Sequence, residues 1–224
     1  MYQQYSSPLL GRNLLNGNRS MSWRSYLFPQ TICITSSKFN RHIRVNEEWG
    51  KMKLLVNGSP QSGSYIANLW KQAFDHFSIE TQKPKSALIL GVGGATVVSL
   101  LSNYFPGINQ TCIDIDKVII DIAKKYFSVF SIPNVSIVHA DAHTYVKQLI
   151  ARKKTYDCII IDLFIGGSIP SFVEDRKFIE SIHRLLTPKG FLCINFLREA
   201  KYREKSDSLY TILQSVYAKT TEYE

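Results

Sequence analysis

The sequence predicts an α/β fold in which a Rossmann-like, doubly wound and mostly parallel sheet follows a small N-terminal antiparallel β unit. From residue 86 onward, short apolar runs alternate with amphipathic segments of helical period, a pattern typical of a parallel sheet covered by helices on both faces. LILGVGGATVVSLL at 88–101 places three glycines in four positions between a strand and a helix. Glycine permits positive φ and close approach of a ligand, so this loop is either a nucleotide cradle or a tight turn.

The predicted strands and helices follow from the spacing of apolar residues and from the residues at the boundaries of each segment. Residues 31–58 alternate apolar and polar side chains and predict antiparallel strands with a turn at NEEWG, and residues 64–74 predict a helix. Pro84 marks a linker at 81–85. The predicted strands of the main domain are 87–90, 110–113, 135–140, 157–161 and 191–196, and its predicted helices lie near 95–104, 117–127, 142–153 and 174–186.

We therefore divide the chain into an irregular basic leader at 1–30, a β-hairpin unit plus helix at 31–80, and a Rossmann-like domain at 86–224. A helix near 206–218 follows the last strand, and TTEYE predicts the start of another strand. The fold usually adds a closing hairpin here, so we expect either a truncated chain or a short sheet. A homodimer is one way to cover the open edge of a short sheet.

Composition limits the classes of partner. The net charge is +9, but residues 1–46 carry six basic residues and no acid, and the remainder is nearly balanced; we therefore do not expect a nucleic-acid partner. The acid-free leader has only a weak amphipathic pattern, which favours an irregular segment over a transit peptide. Four cysteines without paired spacing predict reduced thiols and a cytoplasmic location. No apolar run approaches the roughly 20 residues of a membrane span.

Three carboxylates follow predicted strands, at the end of the sheet where α/β folds bind ligands. They are Asp114, Asp141 and Asp162, and Asp114 lies 23 positions after Gly91. One such Asp often caps the next helix, and Asp116 is expected to do so before Lys117. Three acids at one edge beside a glycine loop predict a binding site, in which Asp114 accepts two ribose hydroxyls.

The glycine loop favours a nucleoside without pyrophosphate. No Lys-Ser/Thr pair follows the glycines, so the loop is not a phosphate-binding P-loop. Thr96 stands where a dinucleotide loop has its last glycine. These differences point to S-adenosylmethionine or a related compound.

HADAH at 139–143 places His, Asp and His at alternate positions and can mimic a metal site. The strand should end near His139, so the three side chains would not stay aligned. We expect no metal, with His139 partly packed and His143 solvated.

Five segments carry a family resemblance, and all lie within residues 86–197. They resemble the spermidine synthase-like (polyamine aminopropyltransferase-like) branch of the class I S-adenosylmethionine-dependent methyltransferase fold. SSKFNRHIRV and LLVNGSPQSGSY extend the resemblance weakly upstream. The five segments are ALILGVGGATVVSLL, TCIDIDKVIIDIAKKYF, VHADAHTYV, YDCIIIDLFIGGSIP and FIESIHRLLTPKGFLCINF.

The resemblance implies a site for S-adenosylmethionine or decarboxylated S-adenosylmethionine, without metal. Asp162 would lie beside the sulfonium and the incoming nucleophile, where a carboxylate can orient or deprotonate an amine. The implied donor-binding residues are Gly91, Gly93 and Gly94 at the methionine and ribose, Asp114 and Ile115 at the ribose, Asp141 and Ala142 at the adenine, Asp162 at the sulfonium, and Gln61 from the N-terminal unit.

Departures from the family matter for the reaction. Aminopropyl-transferring members carry an acid in the glycine loop, where this chain has Gly94 or Ala95, and a second acid at the position of Ile165. They also carry a Tyr-His-Glu set where this chain has Tyr65-Ile66-Ala67. Burying the ammonium groups of a polyamine without carboxylate partners costs several kcal/mol, so the departures argue against spermidine synthesis.

The leading hypothesis is methyl transfer to a small molecule. Asp162 and Tyr65 are the candidates for aligning the nucleophile, Phe164 and Ile165 form an apolar wall, and the GGSIP segment acts as a lid. The alternatives are a polyamine aminopropyltransferase and a non-catalytic nucleoside-binding protein. A base-methylating enzyme is disfavoured, because no Asn/Asp-Pro-Pro-aromatic segment follows the fourth strand of the main domain.

Overall fold

The structure of the protein is a computed structural model that describes residues 22–223. The strands are β1 Gln30–Thr35, β2 Ile43–Glu48, β3 Lys51–Val56, β4 Ser59–Pro60, β5 Ser86–Leu90, β6 Asn109–Asp114, β7 Val135–His139, β8 Tyr156–Ile161 and β9 Leu186–Ile194. The helices are α1 Ser64–His76, α2 Thr96–Tyr104, α3 Lys117–Tyr126, α4 Ala142–Ala151, α5 Arg176–His183 and α6 Arg203–Val216. Short 3₁₀ helices include Trp23–Tyr26, Ser171–Glu174 and Ala200–Tyr202.

The main sheet confirms the predicted fold class. Its five strands are all parallel and lie in the order β7-β6-β5-β8-β9. The chain runs outward from β5 through β6 to β7, then returns to the other side of β5 with β8. Because the connections leave β5 in opposite directions, a crevice opens at the carboxyl ends of β5 and β8.

Two apolar layers cover this sheet. Residues 87–90 of β5 are fully buried, and their side chains alternate between the two faces. Ile89 packs in the layer that contains Phe74 of α1 and Leu101 of α2. Leu88 packs in the opposite layer with residues of α4, α5 and α6. The central strand is therefore held rigidly, and the loop that follows it starts from a fixed point.

The N-terminal sheet is antiparallel, in the order β1-β2-β3-β4. Its apolar face packs on α3, with Val45 and Leu54 against Ile119 and Ile122. This contact places the loop between β1 and β2, and the end of β4, beside the carboxyl edge of the main sheet. The turn predicted at NEEWG is shorter than expected, because both glutamates stay in β2 and only residues 49–50 turn.

Three boundaries differ from the sequence-based prediction. Part of the predicted leader, residues 1–21, lies outside the described residues, while 22–30 include the 3₁₀ helix and the first residue of β1. The last strand begins at Leu186 instead of 191, since Leu186 already pairs with Tyr156 before a register shift. Residues 218–223 do not form the predicted strand; Glu222 instead pairs with Arg198 at 2.7 Å.

Within residues 22–223, no helix is both long and apolar enough to cross a membrane. Strand β9 lies at one edge of the main sheet. The homodimer that would cover this edge stays a prediction.

Candidate functional site

A cavity lies where the carboxyl ends of the main sheet meet the N-terminal sheet. Its empty space is about 810 Å³ when the open mouth is included. Phe39, Phe164 and Phe172 provide aromatic wall. Of the predicted site residues, the following line it: Gln61, Gly91, Gly93, Asp114, Ile115, Asp141, Ala142 and Asp162.

The backbone of the glycine loop at Gly91 and Gly93 forms the floor of this cavity. Gly91 has φ +100°, and a Cβ there would overlap the carbonyl oxygen of Asp162, so glycine is required where the loops after β5 and β8 touch. Gly93 has φ +49° and lines the cavity. Gly94 is buried away from the cavity, where a Cβ would overlap the Ser62 side chain. Gly94 therefore packs the loop against the N-terminal unit and is not placed to touch a ligand.

Asp114 ends β6 with its carboxylate fixed by backbone donors. The N–H of Val92 donates to Oδ2 at 3.0 Å, and the N–H of Asp116 donates to Oδ1 at 2.8 Å. Burial raises the pKa of Asp114, and these N–H groups act in the opposite direction. The N–H of Gly93 also lowers this pKa. An ionised carboxylate has about four acceptor positions, so acceptor capacity remains for hydroxyl donors on the side of the cavity that Asp114 lines. This arrangement suits a ribose diol.

Asp162 follows β8 and is held by a side chain. The Asn195 amide donates to Oδ1 at 2.9 Å. Burial raises the pKa of Asp162 to about 6, although Asn195 and the Trp70 indole N–H lower it. The buried Trp70 N–H lies near this carboxylate and lowers its pKa without forming a hydrogen bond of good geometry, so Asn195 is the side chain that fixes Asp162. Asp162 is therefore ionised at neutral pH but poised to take up a proton.

The other two acids of the cavity cap helices. Asp141 accepts the N–H of Thr144 at 2.8 Å at the start of α4. Asp116 accepts the N–H of Val118 at 3.0 Å, which confirms its predicted capping role before α3. Asp116 is 3% exposed and also accepts hydrogen bonds from Ser37 and Asn40.

The environments of the two histidines of HADAH are the reverse of those predicted. His139 is exposed, and its Nε2 lies 3.0 Å from the carbonyl oxygen of Ile115. His143 is half-buried and stacks on Phe172, with ring centroids 5.2 Å apart. The strand ends at His139 and α4 begins at Ala142, so the side chains diverge as expected. Among the described residues, no group of three His, Cys, Asp or Glu is placed to hold a metal.

Tyr65 is not brought to the cavity. Its side chain is 70% exposed, in the first turn of α1. Trp70 and Phe74 occupy the inward face of this helix, and Tyr65 lies on the outward face. Its predicted catalytic role therefore has no geometric support.

Sequence reasoning missed Asn195 and Trp70. Asn195 directly follows β9, at the same edge of the sheet as the three acids, and its N–H donates to the carbonyl oxygen of Ile161 at 2.9 Å. A search for every polar residue after a strand would have found Asn195. The sequence gives no comparable indication for Trp70, because an indole side chain in an amphipathic helix usually packs in the hydrophobic core.

The fold and the site together define a class: a Rossmann-like sheet with a cavity at the carboxyl ends of its strands, floored by Gly91 and Gly93 and lined by the strand-end acids Asp114 and Asp162. Residues 68–219, more than half of the chain, match the family described as "Spermine/spermidine synthase domain". The chain therefore belongs to this family, and the predicted resemblance is confirmed.

Two curated relatives illustrate the range of the matches. "Polyamine aminopropyltransferase" of Vibrio vulnificus (strain CMCP6) is 31% identical over 128 residues, covering 57% of this chain and 43% of the relative. "eEF1A lysine and N-terminal methyltransferase" of Xenopus laevis is 26% identical over 149 residues, covering 62% of this chain and 21% of the relative. The chain thus spans less than half the length of either.

A solved structure supports the fold. The crystal structure of spermidine synthase in complex with the transition state analogue AdoDATO has a TM-score of 0.65 at 19% identity, covering 84% of this chain and 64% of that one. At this identity, the likeness concerns the fold alone.

Proposed function

We propose that the protein is an S-adenosylmethionine-dependent transferase that moves a methyl group to a small-molecule amine. The observation that carries this proposal is Asp162, a carboxylate with pKa of about 6 at the end of β8, beside the glycine floor. Relatives named as aminopropyltransferases and as methyltransferases both support a transferase of this donor class. The choice between the two reactions depends on the residues around the acceptor.

The cavity residues fit a sulfonium nucleoside. Asp114 would hold the ribose hydroxyls with the acceptor positions left free by Val92 and Asp116. Asp141 and Ala142 would face the adenine, and the side-chain-free floor at Gly91 and Gly93 would admit the methionine portion. When bound, the donor supplies an electrophilic methyl carbon, whose bond to sulfur breaks with its electron pair remaining on sulfur as the acceptor nitrogen attacks.

The acids around the cavity favour methyl over aminopropyl transfer. Among the described residues that line it, Asp114, Asp116, Asp141 and Asp162 are the acids. Asp114 and Asp141 would bind the nucleoside, and Asp116 is buried and caps α3. Asp162 therefore remains for the acceptor. A diamine carries two ammonium groups, and the second would be desolvated without a carboxylate partner.

Glu174 and Asp175, the other acids near the loop after β8, do not fill this gap. Neither side chain lines the cavity. Glu174 is paired with Lys205 at 2.9 Å, and Asp175 is exposed at the start of α5. The acceptor side therefore suits one amine on an apolar body.

Asp162 would orient the amine and receive its proton. Asn195 holds one carboxylate oxygen at 2.9 Å, so the group keeps its direction when the cavity fills. A pKa of about 6 leaves the carboxylate ionised at neutral pH and makes it a better base than an ordinary aspartate. Phe164 and Ile165 line the same side of the cavity and would exclude water from the reacting atoms.

The proposal is tested by offering a panel of primary amines, including diamines and apolar monoamines, with either S-adenosylmethionine or its decarboxylated form. We expect mass spectrometry to show one added methyl group on a monoamine, and product formation slowed by roughly 10² or more with Asp162→Asn. Addition of an aminopropyl group from the decarboxylated donor would favour the alternative reaction. Donor binding without any product would favour a non-catalytic nucleoside-binding protein.

A further inference from the structure

The loop that follows β8, residues 163–170, forms one wall of the cavity. Leu163, Phe164 and Ile165 line it, and so do Gly166 and Pro170. The loop folds back on itself in a two-residue turn, since Ile165 and Ser168 exchange backbone hydrogen bonds of 2.9 and 3.2 Å. The wall is therefore a small preformed hairpin, and its position over the cavity depends on what holds its tip.

The tip is held by the N-terminal unit through Asn40. The N–H of Gly166 donates to Asn40 Oδ1 at 3.0 Å, and both residues are buried. Gly166 has φ +61°, and a Cβ there would lie 2.6 Å from Asn57 Nδ2, so the tip fits closely against the N-terminal sheet. On the other side, the Tyr202 hydroxyl donates to the carbonyl oxygen of Gly167 at 3.2 Å.

The orientation of the Asn40 amide is fixed by its second partner. Asn40 Nδ2 donates to Asp116 Oδ2 at 2.9 Å, and an ionised carboxylate can only accept. The amide oxygen must therefore point the other way, towards the N–H of Gly166. The backbone of Asn40 is also fixed, because its N–H donates to Ser37 Oγ at 3.0 Å and its carbonyl oxygen accepts the Ser37 N–H at 2.8 Å.

This contact continues to the expected ribose site. The backbone N–H of Asp116 donates to Asp114, while its side chain accepts from Asn40. One line of hydrogen bonds thus connects the strand-end acid, the cap of α3, Asn40 and the loop over the cavity. The floor and the wall of the site meet at a residue of the N-terminal unit.

We propose that Asn40 is a positioning residue, which holds residues 163–170 over the cavity and fixes the wall against which donor and acceptor bind. Its role in transfer rests on the proposed function, whereas its hold on the loop does not. An alanine would leave the buried N–H of Gly166 without a partner. An aspartate would have nearly the same shape, but it would place a second carboxylate against Asp116.

The test is hydrogen exchange of the ligand-free full chain, read by mass spectrometry on peptides covering 163–170. Asn40→Ala and Asn40→Asp are compared with Asn46→Ala, which removes another amide of the N-terminal unit, in β2, that is 7% exposed and does not line the cavity. We expect both Asn40 variants to speed exchange at 165–168 by roughly tenfold, with Asp at least as strong as Ala. Asn46→Ala should leave this loop unchanged.

A second readout separates positioning from general destabilisation. With S-adenosylmethionine and an accepted amine, the Asn40 variants should raise KM several-fold more than they lower kcat, while Asn46→Ala changes neither beyond its thermal stability. Unchanged loop exchange, or equal effects of the Asn40 and Asn46 variants, would overturn the inference. If the wild-type chain bound no donor, the proposed function would fail, and the exchange comparison would still decide whether Asn40 holds the loop.

Discussion

Asp114 and Asp162 end neighbouring regions of the same sheet and face the same cavity, yet they are held in different ways. Backbone N–H groups of Val92 and Asp116 fix both oxygens of Asp114. Asp162 receives a hydrogen bond from the side chain of Asn195. Burial raises the pKa of both acids, so the difference lies in their donors.

The comparison separates binding from proton transfer. Backbone donors cannot rotate away, so Asp114 is a fixed acceptor for hydroxyl groups. Burial, opposed by the Asn195 amide, raises the pKa of Asp162 to about 6, near the range in which a general base works at neutral pH. We infer that Asp114 is a rigid anchor for a ligand. Asp162, two strands away at the same edge of the sheet, is the titratable group.

The largest expected effect is on turnover in Asp162→Asn. The amide keeps the shape but cannot take a proton, so kcat should fall by roughly 10²–10⁴, the usual contribution of a general base. Donor affinity, measured by calorimetry, should change by less than about threefold, or about 0.6 kcal/mol. Asp121→Asn, an exposed acid on α3 paired with Lys117, is the control. Retained turnover in Asp162→Asn would remove Asp162 from the chemistry.

Asp114→Ala should give the converse result. Loss of two charge-assisted hydrogen bonds to the ribose, each about 1.5–3 kcal/mol, should weaken donor binding by roughly 100-fold or more. Calorimetric titration with S-adenosylmethionine measures it, and circular dichroism confirms that the sheet is intact. Binding within a few-fold of wild type would show that Asp114 does not hold the donor.

Stability should change with pH in a direction set by Asp162. Because its pKa is raised from 3.8 to about 6 in the folded protein, the folded state binds the proton more tightly than the unfolded state between these values. The contribution of Asp162 to stability is therefore lost as pH rises through this window. Asp162→Asn should be more stable than wild type at pH 7 by roughly 1–3 kcal/mol, measured by urea unfolding. Equal stability at pH 7 would contradict the raised pKa.

The smallest expected effect concerns Asn195→Ala. Removing a donor to the carboxylate should raise the pKa of Asp162 further. The acidic limb of the kcat/KM profile, expected near pH 6 in the wild type, should then move to higher pH by about one unit or less. A shift to lower pH would show that Asn195 does not stabilise the ionised form.

The fold and much of the site were predictable, for physical reasons that also explain the failures. Asp114 and Asp162 were found because parallel strands bring their carboxyl ends to one edge, whatever lies between them in sequence. Tyr65 was misplaced because helical phase at the first turn of α1 depends on packing. Gly94 was assigned to the ligand from the family resemblance, but a Cβ there would meet Ser62.

The residues that hold the site were the hardest to predict. Asn40 lies 126 positions from Gly166, in a loop whose sequence has no periodic signal. Its role depends on how the N-terminal sheet packs on α3, a tertiary contact that local pattern does not specify. The position of residues 163–170 over the cavity depends on the same tertiary contact, so the sequence did not identify an acceptor.

The most direct measurement is parallel calorimetric titration with S-adenosylmethionine, decarboxylated S-adenosylmethionine and methylthioadenosine. The decarboxylated donor has a cationic tail with no balancing carboxylate, and the glycine loop here provides Gly94 and Ala95 in place of an acid. We predict that intact S-adenosylmethionine binds most tightly and that Asp114→Ala weakens all three ligands, because each carries the ribose that Asp114 would hold. Tighter binding of the decarboxylated donor would contradict methyl transfer and restore aminopropyl transfer as the reaction.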